Sequence, residues 1–130
     1  MGTLPAVTVP VSRIGVDRID AGVAVVDVLG EHDLTTASEL SQRLDSLLGE
    51  GLGIVVDLSR ATFIDSSVLA ALLAASRDAG ERGSGFAVTV PADEADGVRR
   101  VIEVTGLDQV MTMARDRAGA VDAVRSGRDG

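Results

Sequence analysis

The chain has 130 residues, a net charge of −8, no cysteine, one histidine and two aromatic residues, and all 12 of its basic residues are arginine. One domain of that length buries roughly two-thirds of its unfolded surface and needs no staples. Disulfides, thiolate metal sites, Schiff-base chemistry and a P-loop lysine are excluded by composition, and the acidic balance argues against nucleic acid or an anionic membrane as a direct partner.

Residues 1–10, with Gly2, Pro5 and Pro10, read as an irregular lead-in or edge strand. Two strands follow, near Ser12 to Asp17 and Val23 to Leu29, joined at Asp20-Ala21-Gly22 as a hairpin. Val23, Val25, Val26 and Val28 make the second strand a central one.

Gly30-Glu31-His32-Asp33 ends that strand, and Thr36-Ala37-Ser38-Glu39 has the spacing of a capping box, which predicts a helix starting at Thr36. Ala37, Leu40, Leu44, Leu47 and Leu48 form its buried stripe, and Gly49 with Gly51 stops it. Gly53 to Leu58 is a β-branched run of the buried-strand kind. The intervening helix makes this a β-α-β unit.

Ala61-Thr62-Phe63-Ile64 reads as a turn anchored by its two large apolar residues, leading into a helix. Val68, Leu69, Leu72, Leu73, Ser76 and Ala79 would line the buried face of that helix. Asp65 is the candidate N-cap, with Ser66 and Ser67 in the first turn; either serine could serve as the cap instead. Such a Ser/Asp cluster at a helix start is most often capping alone, but a phosphate added there would face a helix N-terminus.

Gly80, Gly83 and Gly85 precede a strand over Phe86 to Val90, closed by Pro91. Asp93 to Thr105 predicts a third helix that buries Ala95, Val98, Val101 and Ile102, leaves Arg99 and Arg100 solvated, and ends at Gly106. A short strand at Val110 to Met113 and a helix near Ala118 to Val124 complete the pattern, with 126–130 as a flexible tail. Alternating strands and helices define an α/β fold: a mixed, mostly parallel sheet of four to five strands, an antiparallel hairpin at one side, and about four helices.

Three segments together resemble the STAS domain, and within it the bacterial anti-sigma factor antagonists. They are Gly30-Glu31-His32-Asp33-Leu34-Thr35-Thr36, Val55-Val56-Asp57-Leu58-Ser59 through Phe63-Ile64-Asp65-Ser66-Ser67, and Val101 to Leu107 with its Thr105-Gly106-Leu107. Their order spans Ile14 to Met113, within a STAS domain expected over 11–125. The resemblance implies a regulatory cycle without a catalytic role for this chain. An unphosphorylated antagonist binds an anti-sigma factor that is also a GHKL-type serine kinase and frees a sigma factor for transcription. Phosphorylation on the first serine after the aspartate, Ser66, switches it off, and a phosphoserine phosphatase restores it.

By the same resemblance the partner-binding residues would be Glu31, Asp33, Asp65, Ser66, Ser67 and Val68. For Asp33 the alternative is a plain charge at the first helix's N-terminus, and for Ser67 a bond to backbone within its own turn. Where the family commonly continues Asp-Ser-Ser-Gly-Leu-Gly, Val68 and Ala70 stand in place of both glycines, so Val68 is expected to add bulk beside the acceptor. Neither metal nor cofactor is expected, since one imidazole among scattered carboxylates is a poor ligand set. With no basic-then-apolar leader and no run of membrane-spanning length, a cytoplasmic protein is expected.

Three other readings remain at the sequence level. A serine hydrolase would need the small glycines of a nucleophile elbow, which are missing. A receiver domain would use Asp57 as acceptor together with a lysine, of which the chain has none. A STAS accessory subunit of a lipid transporter would share the fold and differ in partner.

Overall fold

The computed structural model describes residues 12–93 and 96–127. The expected lead-in, Ala95 and the last three residues of the tail lie outside the described residues. Six strands and four helices follow the order β1 (Arg13–Arg18), β2 (Val23–His32), α1 (Leu34–Gly49), β3 (Gly53–Asp57), β4 (Ala61–Ile64), α2 (Ser66–Arg82), β5 (Phe86–Thr89), α3 (Gly97–Val104), β6 (Thr112–Ala114) and α4 (Arg117–Gly127). A single 3-10 turn, Leu107–Gln109, lies between α3 and β6.

The sheet runs β1-β2-β3-β5-β6, with β4 attached to β2 off that path. Among the described residues β1 and β2 pair antiparallel, and the other four pairs are parallel. The α/β class and the mostly parallel sheet with one hairpin agree with the sequence, but the sheet has six strands rather than four or five. The addition is β4, four residues that read as a turn. β2 continues three residues past Leu29, shifts register at Gly30/Glu31, and pairs Gly30, Glu31 and His32 with Ala61, Phe63 and Ile64. Gly30 makes this shift possible, since its φ of 82° is a conformation that a side chain disfavours.

One face of the sheet carries the main core, in which Val26, Val28, Ile54, Val56 and Val88 pack against Leu40, Leu44 and Leu48 of α1, Val68 and Leu72 of α2, and Val98 and Ile102 of α3. All five buried residues expected for α1 are buried. On α2, Ala75 takes the place expected of Leu73 and Ser76, which are half-buried. Among the described residues the opposite face is covered by α4, where Ala120 and Val124 meet Val23, Val25, Val55 and Ala87. Gly53 and Gly85 permit this approach: a β-carbon on either would collide with Val124.

Helix starts differ from expectation in two places. α1 begins at Leu34, one half-turn before Thr36, and its capping box is formed by Asp33 with Thr36 rather than by Thr36 with Glu39. α3 begins at Gly97 behind its cap Asp96. Of the two α3 arginines expected to be solvated, Arg100 is exposed, whereas Arg99 is half-buried and donates to the Ala92 carbonyl at 2.9 Å.

Beyond the N-terminus of α4, a polar network closes the second face. Asp57, nearly buried, accepts from the Ser59 amide at 2.9 Å, the Ser59 hydroxyl at 2.6 Å and the Thr89 hydroxyl at 2.8 Å, and Arg117 lies 3.3 Å from its other oxygen. Arg117 also pairs with Asp27, the register neighbour of Asp57 on β2. Asp57 therefore satisfies donors of the turn that follows it and does not stand free as a phosphoryl acceptor.

Candidate functional site

Parallel pairing places His32 of β2 beside Ile64 of β4, so the next residues along each chain, Asp33 and Asp65, start α1 and α2 side by side. The two starts are built alike. Asp65 accepts from the Ser67 amide at 3.0 Å and the Val68 amide at 3.2 Å, and Asp33 accepts from the Thr35 amide at 2.9 Å. In each case the hydroxyl two residues after the cap, on Ser67 or Thr35, donates to the same carboxylate oxygen. Four backbone donors at each helix start lack intrahelical partners, and an aspartate is well suited to take two of them.

Both carboxyls lie below the ordinary aspartate range. For Asp65 the main cause is the Ser67 hydroxyl, followed, against some desolvation, by the Val68 and Ser67 amides, while the nearby charge of Asp33 acts in the opposite direction. For Asp33 the Thr35 hydroxyl leads and the Thr35 amide follows. The two charges thus sense each other across adjoining helix N-termini.

The first helical residues of the pair are Leu34 and Ser66. Leu34 is 74% exposed and Phe63, paired in register with exposed Glu31, is 50% exposed. Ser66 is exposed, and among the described residues its hydroxyl has no hydrogen-bond partner, whereas Ser67 is half-buried with its hydroxyl committed to Asp65. The bond of Ser67 goes to a side chain and not, as one alternative had it, to backbone.

Glu31, Asp33, Asp65, Ser66 and Ser67 are therefore gathered at one place. Val68 is not part of that surface: its side chain is fully buried beneath α2 in the main core, since the third residue of this helix turns toward the sheet. Of the two positions where the family commonly has glycine, the one on the surface is Ala70, one helical turn after Ser66. Phe63 does not anchor the turn either; Ile64, 3% exposed, does so, and Phe63 projects outward.

Leu34 and Phe63 complete the patch and were not singled out as surface groups by the sequence. For Leu34 a signal was available in an apolar residue directly after a capping aspartate; for Phe63 the four residues Ala61–Ile64, with both middle residues exposed, carry no alternation that could have given one. His32 is buried and its Nε2 lies 2.7 Å from the Leu29 carbonyl, to which it donates, leaving Nδ1 without a partner. It bonds neither serine, so the pair Ser66 and His32 does not form the nucleophile–base contact of a hydrolase.

Two strand ends thus deliver two capped helix starts side by side, with the exposed Ser66, acidic flanks and the exposed apolar side chains of Leu34 and Phe63. The family model described as "Mlab, STAS domain" matches residues 15–113. The chain belongs to the STAS domain family. It is 32% identical over 108 residues to the anti-sigma-F factor antagonist RsfB of Mycobacterium tuberculosis, covering 82% of this chain and 85% of the relative. The crystal structure of an anti-sigma factor antagonist from Mycobacterium paratuberculosis superposes with a TM-score of 0.76 at 33% identity, covering 87% of this chain and 93% of that one. The anti-sigma factor antagonist SpoIIAA, in its unphosphorylated form, shares the fold with a TM-score of 0.72 at 20% identity, covering 88% of this chain and 97% of its own. No helix among the described residues is long and apolar enough to cross a membrane.

Proposed function

We propose that this chain is an anti-sigma factor antagonist controlled by phosphorylation of Ser66. Unphosphorylated, it binds in the cytoplasm to an anti-sigma factor that is a GHKL-type serine kinase, and so releases a sigma factor for transcription. The kinase transfers phosphate to Ser66, the complex dissociates, and a phosphoserine phosphatase resets the cycle. The relatives named above, antagonists of anti-sigma factors at 32% and 33% identity, support the partner class.

The observation that carries the choice of residue is the difference between the two serines. Ser66 is exposed with an unengaged hydroxyl, while Ser67 has its hydroxyl bound to the helix cap. Electrostatics gives the switch a direction. A phosphoserine brings about −1.5 to −2 charges, which the positive end of α2 accommodates without refolding. The same charge joins Asp33, Asp65 and Glu31 in one acidic surface, and repels any carboxylate that the partner places there. Each tenfold of lost affinity requires only about 1.4 kcal/mol.

Partner binding by Ser66→Ala is expected to be independent of ATP, and binding by Ser66→Asp to be weak. Incubation with the cognate kinase and ATP, followed by mass spectrometric site mapping, tests the assignment directly. Phosphate on Ser67, or on neither serine, would overturn it.

A further inference from the structure

A second site lies at the same end of the sheet and shares no residue with the first. α3 leaves β5 toward the main core, where Val98 and Ile102 are buried, whereas α4 leaves β6 toward the opposite face, where Ala120 and Val124 are buried. The chain therefore diverges to two faces just beyond the carboxyl ends of neighbouring parallel strands. That divergence opens a crevice, the place where open α/β sheets generally hold ligands.

The crevice is a cavity of about 470 Å³ lined by Val90, Pro91 and Ala92 after β5, Met113, Ala114 and Arg115 at the end of β6, and Arg99 of α3. Its volume falls within the range of small-molecule sites. The lining is cationic in a chain of net charge −8. Arg99 is held in place by the Ala92 carbonyl at 2.9 Å and by Glu103 at 3.7 Å. Arg115 is exposed, and among the described residues it has no ion pair or hydrogen bond. A guanidinium fork without a carboxylate partner is suited to bind a planar or tetrahedral anion. A smaller hollow of about 260 Å³ shares Val90, Arg99 and Met113 and is bordered by Glu103 and Asp108, which disfavour an anion at that end.

We propose that this crevice is a binding site for a small amphipathic anion, its acidic head between Arg115 and Arg99 and its aliphatic body along Val90, Pro91 and Met113. With no aromatic side chain in the lining, the body is not a stacked ring. The site is independent of Ser66 and of the partner cycle.

The test is a titration of the full chain followed by amide chemical shifts, with hexyl phosphate, inorganic phosphate and hexanol as probes. Hexyl phosphate is expected to give saturable shifts confined to Ala92, Arg99 and Met113 to Arg115, with inorganic phosphate at least tenfold weaker and hexanol not saturating. Arg115→Ala should weaken hexyl phosphate at least tenfold, and Arg115→Lys should recover part of that loss. The dispersed spectrum of each variant confirms that it is folded. Absence of saturable shifts, shifts scattered over the surface, equal binding of inorganic phosphate, or an unaffected Arg115→Ala variant would each overturn the proposal.

Discussion

Val68 stands where the family commonly has glycine, and its burial turns a question about docking into one about stability. In Val68→Gly the β-carbon and both methyl groups leave a site that is 0% exposed, between α2 and the sheet. The lost burial and the cavity left behind cost about 2–3 kcal/mol, and the glycine's added backbone freedom costs up to about 1 kcal/mol more, with the lower end expected in a first turn. A total of about 3 kcal/mol corresponds, for a domain of this length, to a fall in melting temperature of roughly 10 °C. Ala70→Gly, exposed on the same helix, should cost no more than about 1 kcal/mol. Thermal melts by circular dichroism measure both, and partner binding is then compared at a temperature where all variants are folded. On this account binding by Val68→Gly equals that of the parent. If its melting temperature stayed within about 2 °C of the parent while its affinity changed severalfold, Val68 would belong to the docking surface and the packing argument would fail.

Three further outcomes follow from the polar network and the exposed patch. Asp57→Ala strands the Thr89 hydroxyl, 1% exposed, and leaves Arg117 without one of its carboxylates. Because Arg117 is about a third exposed, its share is small, and the sum is about 2–3 kcal/mol by urea unfolding at pH 7. Burial pushes the Asp57 carboxyl up, but the Ser59 hydroxyl and amide, Thr89 and Arg117 together outweigh it and hold the group below the ordinary aspartate value. A depressed folded-state pKa gives stability that is present above the unfolded value of about 3.9 and lost as pH falls through the folded one. The gap between the parent and Asp57→Asn should therefore be constant from neutral pH to about 5 and narrow below about 4; a gap that widened in acid would reverse the assigned sign. On the patch, Leu34→Ser and Phe63→Ser should change stability by no more than about 0.5 kcal/mol, as expected for surface positions, yet weaken the anti-sigma factor complex about tenfold or more by calorimetry. Unchanged affinity in both variants would move the interface elsewhere.

Local rules carried the sequence reading wherever one segment decides its own state. The 3.6-residue stripe of Leu40, Leu44, Leu47 and Leu48, the β-branched run at β3, the hairpin at Asp20-Ala21-Gly22 and the terminating Gly106 are each specified by neighbours a few residues away, and each forms. Asp65 as cap and Ser66 in the first turn were legible for the same reason. The family, too, was legible, because its three segments keep their order along the chain.

Only the tertiary structure decided what depends on partners distant in sequence. Four residues at 61–64 have no periodicity of their own that separates strand from turn, and they become β4 because β2 runs on past Gly30 to offer them an edge. That pairing brings the two capping aspartates together and turns Phe63 outward, and the seating of α2 on the sheet buries Val68 and leaves Ser66 exposed. The crevice beside Arg115 likewise exists only because α3 and α4 take opposite faces. The sequence determines which residues can cap, bury or accept a phosphate; which of them meet, and which reach the surface, is set by strand register and by the face each helix takes.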